Sequence, residues 1–349
     1  MREVSNVLVT GGLGFIGSAF MRFLFRTNAF TGRVVNLDLL TYAGNPDNVA
    51  GFVDESRYSF VRGDICDQQL VSRLCQEHAI DTIVNFAAES HVDRSIAGPG
   101  VFIQTNIVGT YSLLEVVRSF PSIHFHHVST DEVYGSLGIT GAFDEQSPYR
   151  PNSPYSASKA ASDHLVRSYA HTFGISTTIS NCSNNYGPFQ FPEKLIPLMI
   201  LNAVERKPLP VYGDGLNIRD WLYVDDHVEA IWTVICEGDR GATYNIGGKN
   251  EWTNIAIVEK IADLLGRIQR EEPGQFRSLI TFVKDRPGHD RRYAIDSNKL
   301  TNQLGWRARH DFEAGLDETI RWYLRNSQWI SRVKTGAYRQ WIKKNYDER

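Results

Sequence analysis

The sequence predicts an α/β protein built on a doubly wound parallel sheet, with a smaller, partly interleaved C-terminal lobe. Three observations carry this expectation. Short apolar runs alternate with amphipathic helical segments through the first half of the 349 residues. A glycine-rich turn follows the first of those runs. After Cys182 the alternation gives way to asparagines and prolines.

Taken in order, residues 7–10 (VLVT) read as a buried strand, and residues 15–25 carry apolar side chains at helical spacing. Residues 34–38 (VVNLD) predict a second strand and residues 58–64 (YSFVRGD) a third. Asp67 is placed to cap a helix running to about His78, with Leu70 and Leu74 on one face. Residues 82–88 (TIVNFAA) predict a fourth strand and residues 125–129 (FHHVS) a fifth. Between them residues 104–120 predict one long helix that stops before Pro121, and residues 154–173 predict another. Further on, the run NNYGP at 184–188 and Pro192, Pro197, Pro208 and Pro210 predict loops and short helices. Regular structure returns over 221–236. The expected division is a nucleotide-binding domain at 1–182 and a second lobe at 183–349, with part of 216–240 returning to the first domain.

Composition narrows the function classes. The 42% hydrophobic and 22% charged fractions belong to an ordinary soluble globular protein. A formal net charge of -3 without a lysine-rich run gives nucleic acid no footing. The ten histidines fit no metal-ligand spacing; His124, His126 and His127 read as parts of a strand, and no metal is expected. Four scattered cysteines without a CxxC read as reduced thiols and point to the cytoplasm. A strand beginning near Asn6 leaves no room for a leader, and no apolar run approaches the roughly 20 residues that span a bilayer.

The turn at 10–17 (TGGLGFIG) satisfies GxGxxG through Gly12, Gly14 and Gly17, and GxxGxxG through Gly11, Gly14 and Gly17. Glycines there let a pyrophosphate approach the helix-end N–H groups, as in a Rossmann dinucleotide site. Asp38, at the end of the next strand, suits the adenosine ribose hydroxyls and would repel a 2′-phosphate. Leu39 and Leu40 follow it rather than arginines, so NAD is favoured over NADP. Asp64 and Ile65 are candidates to flank the adenine.

Two further strings carry chemistry. Residues 128–135 (VSTDEVYG) place Thr130 beside two carboxylates, Asp131 and Glu132. Residues 155–159 (YSASK) place Tyr155 four residues before Lys159. The Tyr/Lys spacing is weak alone and gains weight from following a dinucleotide fold. A hydride-transferring enzyme needs that pair; adjacent carboxylates add a proton donor and a proton acceptor, which points to loss of water coupled to redox.

These motifs, with DLLTYAG at 38–44, AAESHVDRS at 87–95, NCSNNYGP at 181–188 and DRPGH at 285–289, resemble the extended short-chain dehydrogenase/reductase superfamily. Within it they resemble the dTDP-glucose 4,6-dehydratase family. The resemblance implies conversion of a nucleotide-linked glucose to its 4-keto-6-deoxy form through tightly bound NAD. It implies Tyr155 as base at the C4 hydroxyl, supported by Lys159 and oriented by Thr130. Glu132 becomes the base at C5 and Asp131 the acid at the C6 hydroxyl. By the same resemblance Phe15, Ile16, Thr41, Ala87, Ala88, Glu89, Ser90, Thr105 and Asn185 touch the cofactor. Ser90 and Asn184 face the sugar, Arg219 and Arg286 the diphosphate. Lys194, Leu195, Pro210, Tyr212, Asn254 and His289 line the nucleotide pocket. A homodimer through a four-helix contact of segments 104–120 and 154–173 is also implied. A UDP- or GDP-sugar 4,6-dehydratase, a sugar-nucleotide 4-epimerase and a non-catalytic NAD-binding regulatory protein remain alternatives at this point.

Overall fold

The computed structural model describes residues 1–334. Its strands are β1 (Asn6–Thr10), β2 (Arg33–Asp38), β3 (Tyr58–Arg62), β4 (Thr82–Asn85), β5 (His124–Thr130) and β6 (Ser176–Cys182). They continue as β7 (Asn184–Tyr186), β8 (Leu209–Tyr212), β9 (Ile218–Tyr223), β10 (Thr243–Ile246), β11 (Glu251–Thr253) and β12 (Ile280–Val283). Seven strands form one parallel sheet in the order β3-β2-β1-β4-β5-β6-β10. The order reverses between β1 and β4, which is where open α/β sheets hold ligands beyond the strand carboxyl ends.

Alternation along the strands decides the two faces. Val7 and Val9 of β1 enter one core with Phe20 and Leu24 of the helix Phe15–Arg26; Leu8 enters the other with Leu113, Phe125 and Val166. The first core also takes Val228, Ile231 and Val234 of the helix Val224–Glu237, and Tyr244 and Ile246 of β10. Residues 224–246 therefore cover and extend the first sheet. A second core lies between the helices Leu195–Val204, Asn254–Gln269 and Phe312–Arg325. Beside it β9 pairs parallel with β7 and antiparallel with β11, and β8 pairs with β12.

Asp67 caps the helix Gln68–Glu77 by accepting Leu70 N at 2.9 Å, as its position predicts. The helix Pro154–Phe173 begins with a Ser153/Ser156 capping box and ends at Gly174, in the left-handed region at φ 66°. Two expected strands are shorter than predicted. Residues 86–88 leave the sheet after Asn85, where Ala87 N turns to the Thr10 side chain, and residues 63–64 leave it after Arg62, where the Asp64 side chain accepts Cys66 N. The predicted single helix at 104–120 starts earlier and contains a wide π-helical turn, Ile103–Val108, before Gly109–Ser119. There Ser162 Oγ donates to Asn106 O at 2.6 Å, drawing that carbonyl to a neighbouring helix. No helix among the described residues is long and apolar enough to cross a membrane.

Candidate active site

The glycine turn is fixed by space. A Cβ on Gly11, at φ +66°, would stand 2.7 Å from Ala87 N, and one on Gly17 would stand 2.3 Å from Gly11 O. Gly14 caps the helix Phe15–Arg26 with no side chain, so its first-turn N–H groups stay open to an anion. A cavity runs from Gly11, Gly14, Phe15, Ile16 and Gly17 past Ala88 and Ser90 to Thr130, Tyr155, Lys159 and Asn185. A second cavity joins it at Ser90, Glu132, Asn184 and Lys194, and continues along Leu195, Pro210, Tyr212, Arg219, Asn254, Arg286 and His289. Every residue assigned to substrate thus lines one of two adjoining spaces, with Glu132 at their junction.

The remaining cofactor candidates do not line the first cavity. Asp38 receives Leu13 N at 2.9 Å and Leu40 N at 2.8 Å, one on each oxygen, and keeps a lone pair on each for a ribose. Burial raises its pKa and those two bonds oppose the rise. Leu39 is exposed and Thr41 follows Leu40 into the loop. Asp64 accepts Cys66 N at 2.9 Å. The Ile65 side chain packs in the core against Gly109, so only its backbone is left for an adenine. Ala87 N reaches Thr10 Oγ1 at 3.3 Å. Glu89 is held on both backbone groups by Asn106, whose Oδ1 accepts Glu89 N at 2.9 Å and whose Nδ2 donates to Glu89 O at 3.0 Å. Thr105, next to it, lies in the π-helical turn.

The chemistry-bearing groups converge at the end of β5. Thr130 Oγ1 accepts Glu132 N at 3.3 Å and so caps the turn Asp131–Tyr134. Asp131 is 1% exposed, and burial first, then the Glu132 charge, push its pKa well up; its Oδ2 has no protein partner. Glu132 is also pushed up by burial, but Arg286, Arg219 and Lys194 pull it back. Tyr155 is raised well above an ordinary phenol by burial and the Glu132 charge, and its hydrogen bond with Thr130 works the other way. Lys159 Nζ donates to Val128 O at 2.8 Å, and burial brings it down to about 8.

Around the second cavity Arg219 donates to Asp290 O at 2.9 Å and lies 4.4 Å from the Tyr293 ring centre. Arg286 reaches Asp93 at 3.5 Å, and its Nε is buried without a protein acceptor. Asn184 Oδ1 and Gln190 Oε1 are buried without protein donors. Unsatisfied buried polar atoms are scarce in folded proteins; here several gather at the two cavities, as polar ligands there require. With the bare glycine cradle, they fit a dinucleotide beside a nucleotide sugar.

Sequence reading singled out neither Asn106 nor the Tyr42–Arg94–Glu193 group beside the junction. Arg94 donates to Glu193 at 3.1 Å and stacks on the Tyr42 ring at 3.8 Å; Lys194 Nζ donates to Ser90 O at 3.0 Å. Both Tyr42 and Arg94 lie inside quoted motifs, but Glu193 is 99 residues from Arg94, and no local pattern announces their contact.

Comparison with known proteins settles the lineage. A family model described as GDP-mannose 4,6 dehydratase matches residues 8–319. The dTDP-glucose 4,6-dehydratase of Shigella flexneri is 53% identical over 99% of both chains, and that of Xanthomonas campestris pv. campestris strain B100 is 56% identical over 95% of this chain and 97% of its own. The dTDP-glucose 4,6-dehydratase of Bacillus anthracis, solved with NAD, superposes with TM-score 0.86 at 48% identity, covering 95% and 100% of the chains. A Thermotoga maritima UDP-glucose 4-epimerase superposes nearly as well, TM-score 0.82 over 92% and 99%, but at 26% identity. Fold is thus shared with the epimerases while sequence is not, and the chain belongs to the dTDP-glucose 4,6-dehydratase family.

Proposed function

We propose that this protein converts dTDP-glucose to dTDP-4-keto-6-deoxyglucose and water. The observation that carries the reading is the Asp131–Glu132 pair: Glu132 lines the junction of the two cavities beside three cations, and Asp131, enclosed next to it, is set to hold a proton. NAD is proposed to lie along the glycine turn, Asp38 and Ala87–Ser90, and when bound it supplies the hydride acceptor and donor. It is favoured by relatives of the family solved with NAD, one of them, from Streptomyces venezuelae, with TYD as well.

The residues divide the proton work. Thr130 orients the C4 hydroxyl and Tyr155 takes its proton. The ketone so formed acidifies C5–H, which Glu132 removes. Asp131 gives its proton to the departing C6 hydroxyl, which leaves as water. Asn184 and Ser90 hold the sugar; Arg219 and Arg286 bind the diphosphate with planar forks. Lys194, Leu195, Pro210, Tyr212, Asn254 and His289 enclose the nucleoside. Residues 1–182 with 224–246 form the cofactor half of this arrangement, and the second core carries the nucleotide half.

The exposed apolar side chains Val101, Ile103, Tyr111 and Phe173 lie on the helical segments 100–119 and 154–173. They support a homodimer in which two such pairs form a four-helix contact. The four cysteines, free in the structure, support a cytoplasmic setting. Incubating the purified protein with dTDP-, UDP- and GDP-glucose in turn tests the function. Loss of water from the dTDP sugar, detected by mass spectrometry, is the expected result. A product of unchanged mass would indicate an epimerase, and conversion only of another nucleotide sugar would overturn the base assignment.

A further inference from the structure

Below Tyr155 and Lys159 lies a closed polar cluster that the scheme above leaves unused. Lys159 Nζ lies 3.3 Å from His127 Nε2, and the same ring nitrogen lies 3.5 Å from Asp163 Oδ1. Asp163 stands one helical turn beyond Lys159 and is wholly buried. Its Oδ2 accepts Ser129 Oγ and Tyr149 OH, both at 2.9 Å, and Asn181 Nδ2 at 3.4 Å. Arg167 donates to Tyr149 OH at 2.7 Å, extending the cluster toward the surface. On the far side of the ring, His127 Nδ1 faces Asn85 Nδ2 at 3.2 Å. Thr10 Oγ1, itself receiving Ala87 N, donates to Asn85 Oδ1 at 2.6 Å. That fixes the amide with its NH2 toward the ring and makes Nδ1 the acceptor, while Nε2 lies between Lys159 Nζ and Asp163 Oδ1, an oxygen with no hydrogen-bond partner of its own.

The groups facing Lys159 are few. Asp163 comes from its own helix, His127 and the Val128 carbonyl from β5, and the Cys182 thiol from β6, while Tyr155 of the same helix lines the same cavity. Asp131 and Glu132 bear on Tyr155 from the turn after β5. Asp163 is thus the carboxylate that can offset the lysine's charge from behind.

We propose that Asp163, acting with His127, is a positioning residue that keeps Lys159 an ammonium and fixes it in the site. Burial works against the lysine's charge and Asp163 works for it. Burial also raises Asp163, and Lys159, Ser129, Tyr149 and Arg167 lower it, so each charge depends on the other. A neutral amine would give Tyr155 no cationic field, and burial already disfavours the phenolate. Neither Asp163 nor His127 exchanges an atom: the C4 hydroxyl proton goes to Tyr155 and the hydride leaves C4 for bound NAD. The proposal rests on the reading of Tyr155 and Lys159 as the base at C4.

A substrate without a C6 hydroxyl isolates that step. Oxidation of dTDP-6-deoxyglucose at C4 needs Tyr155 and Lys159 and makes no use of Asp131 or Glu132. The experiment follows formation of bound NADH in a single turnover of NAD-loaded protein across pH, for the unsubstituted chain and Asp163→Asn. Once it has lost one proton, the Tyr/Lys pair divides between phenolate–ammonium and phenol–amine, and removing the carboxylate favours the second. The plateau rate should fall about tenfold or more, while the midpoint of the acid limb moves to lower pH by about one unit. The sugar nucleotide concentration for half-saturation should hold. The double variant Ser129→Ala/Tyr149→Phe keeps the carboxylate but removes two donors that hold its charge. It should shift the limb the same way, and it is the variant to read if Asp163→Asn does not melt cooperatively. A lowered plateau with the limb in place is a structural effect and overturns the proposal. An unsubstituted protein that forms no NADH overturns the C4-oxidation reading, and the proposal with it.

Discussion

Asp131 and Glu132 are joined by one peptide bond and meet different fields. Asp131 is enclosed with a like charge beside it, so a proton on it is favoured; Glu132 opens on the cavity junction where Arg286, Arg219 and Lys194 favour its charge. Pairs of carboxyls driven apart in this way take acid and base roles. Glu132→Gln is therefore expected to oxidise C4 and stall, with bound NADH absorbance rising on addition of dTDP-glucose while turnover falls about 10²–10⁴-fold. Turnover at the unsubstituted rate would remove Glu132 from the mechanism. Tyr155→Phe should bind NAD, measured by calorimetry, yet show no NADH signal. At this scale the sequence was most legible where the chemistry is local: Thr130 to Glu132, and Tyr155 to Lys159, can be read from one short string each. His127 and Asp163 were not legible, because each matters only through a contact across β5 and the helix Pro154–Phe173.

At the scale of elements, β5 and β6 are stitched by side chains as well as by their ladder. His124 lies between Ser176 Oγ at 2.9 Å and Thr178 Oγ1 at 3.0 Å, and His126 lies between Thr178 Oγ1 at 2.9 Å and Ser180 Oγ at 3.1 Å. Sequence spacing excluded these histidines as ligands but gave no hint of the pairing, which depends on register between strands about fifty residues apart. Burial brings His124 down to about 3 and His126 well below its usual value. The sign follows: the unfolded chain takes up protons below its ordinary histidine pKa and the folded one does not. Stability is thus intact above about pH 6.5 and falls as pH drops, by about 1.4 kcal/mol per unit for His124. The melting temperature should decline more steeply between about pH 6.5 and 5 than that of His124→Gln; equal slopes would contradict a neutral buried ring. The π-helical turn was likewise illegible, since it depends on Ser162 and on the Asn106–Glu89 bonds rather than on helical propensity. Arg94, on the short helix Val92–Ala97, ties Tyr42, which lines the first cavity, to Glu193, which lines both. Arg94→Ala is expected to release that tie and lower the NAD retained through gel filtration, scored by absorbance of the denatured eluate. Undiminished NAD would limit the cluster to a structural part.

Across the whole molecule, the parallel sheet was legible because alternating apolar runs and a glycine turn are periodic signals, whereas its strand order and the strands β6 and β10, paired only through distant chain segments, were not. The second core was not, since it is assembled from helices spread between Leu195 and Arg325 around short strands. The helices with the exposed Ile103 and Tyr111 lie apart from both cavities' walls. Ile103→Glu/Tyr111→Glu is expected to yield a monomer by sedimentation velocity with NAD still bound, and an unchanged dimer would place the interface elsewhere. The two cavities meeting at Glu132 are the feature on which the account depends, because one sugar must reach both the hydride site and the carboxyl pair. The most direct measurement uses dTDP-glucose with deuterium at C4 and locates the label in the product by NMR. Deuterium at C6 with loss of water is the predicted result. Deuterium returned to C4, or lost to solvent, would contradict internal transfer between the two positions.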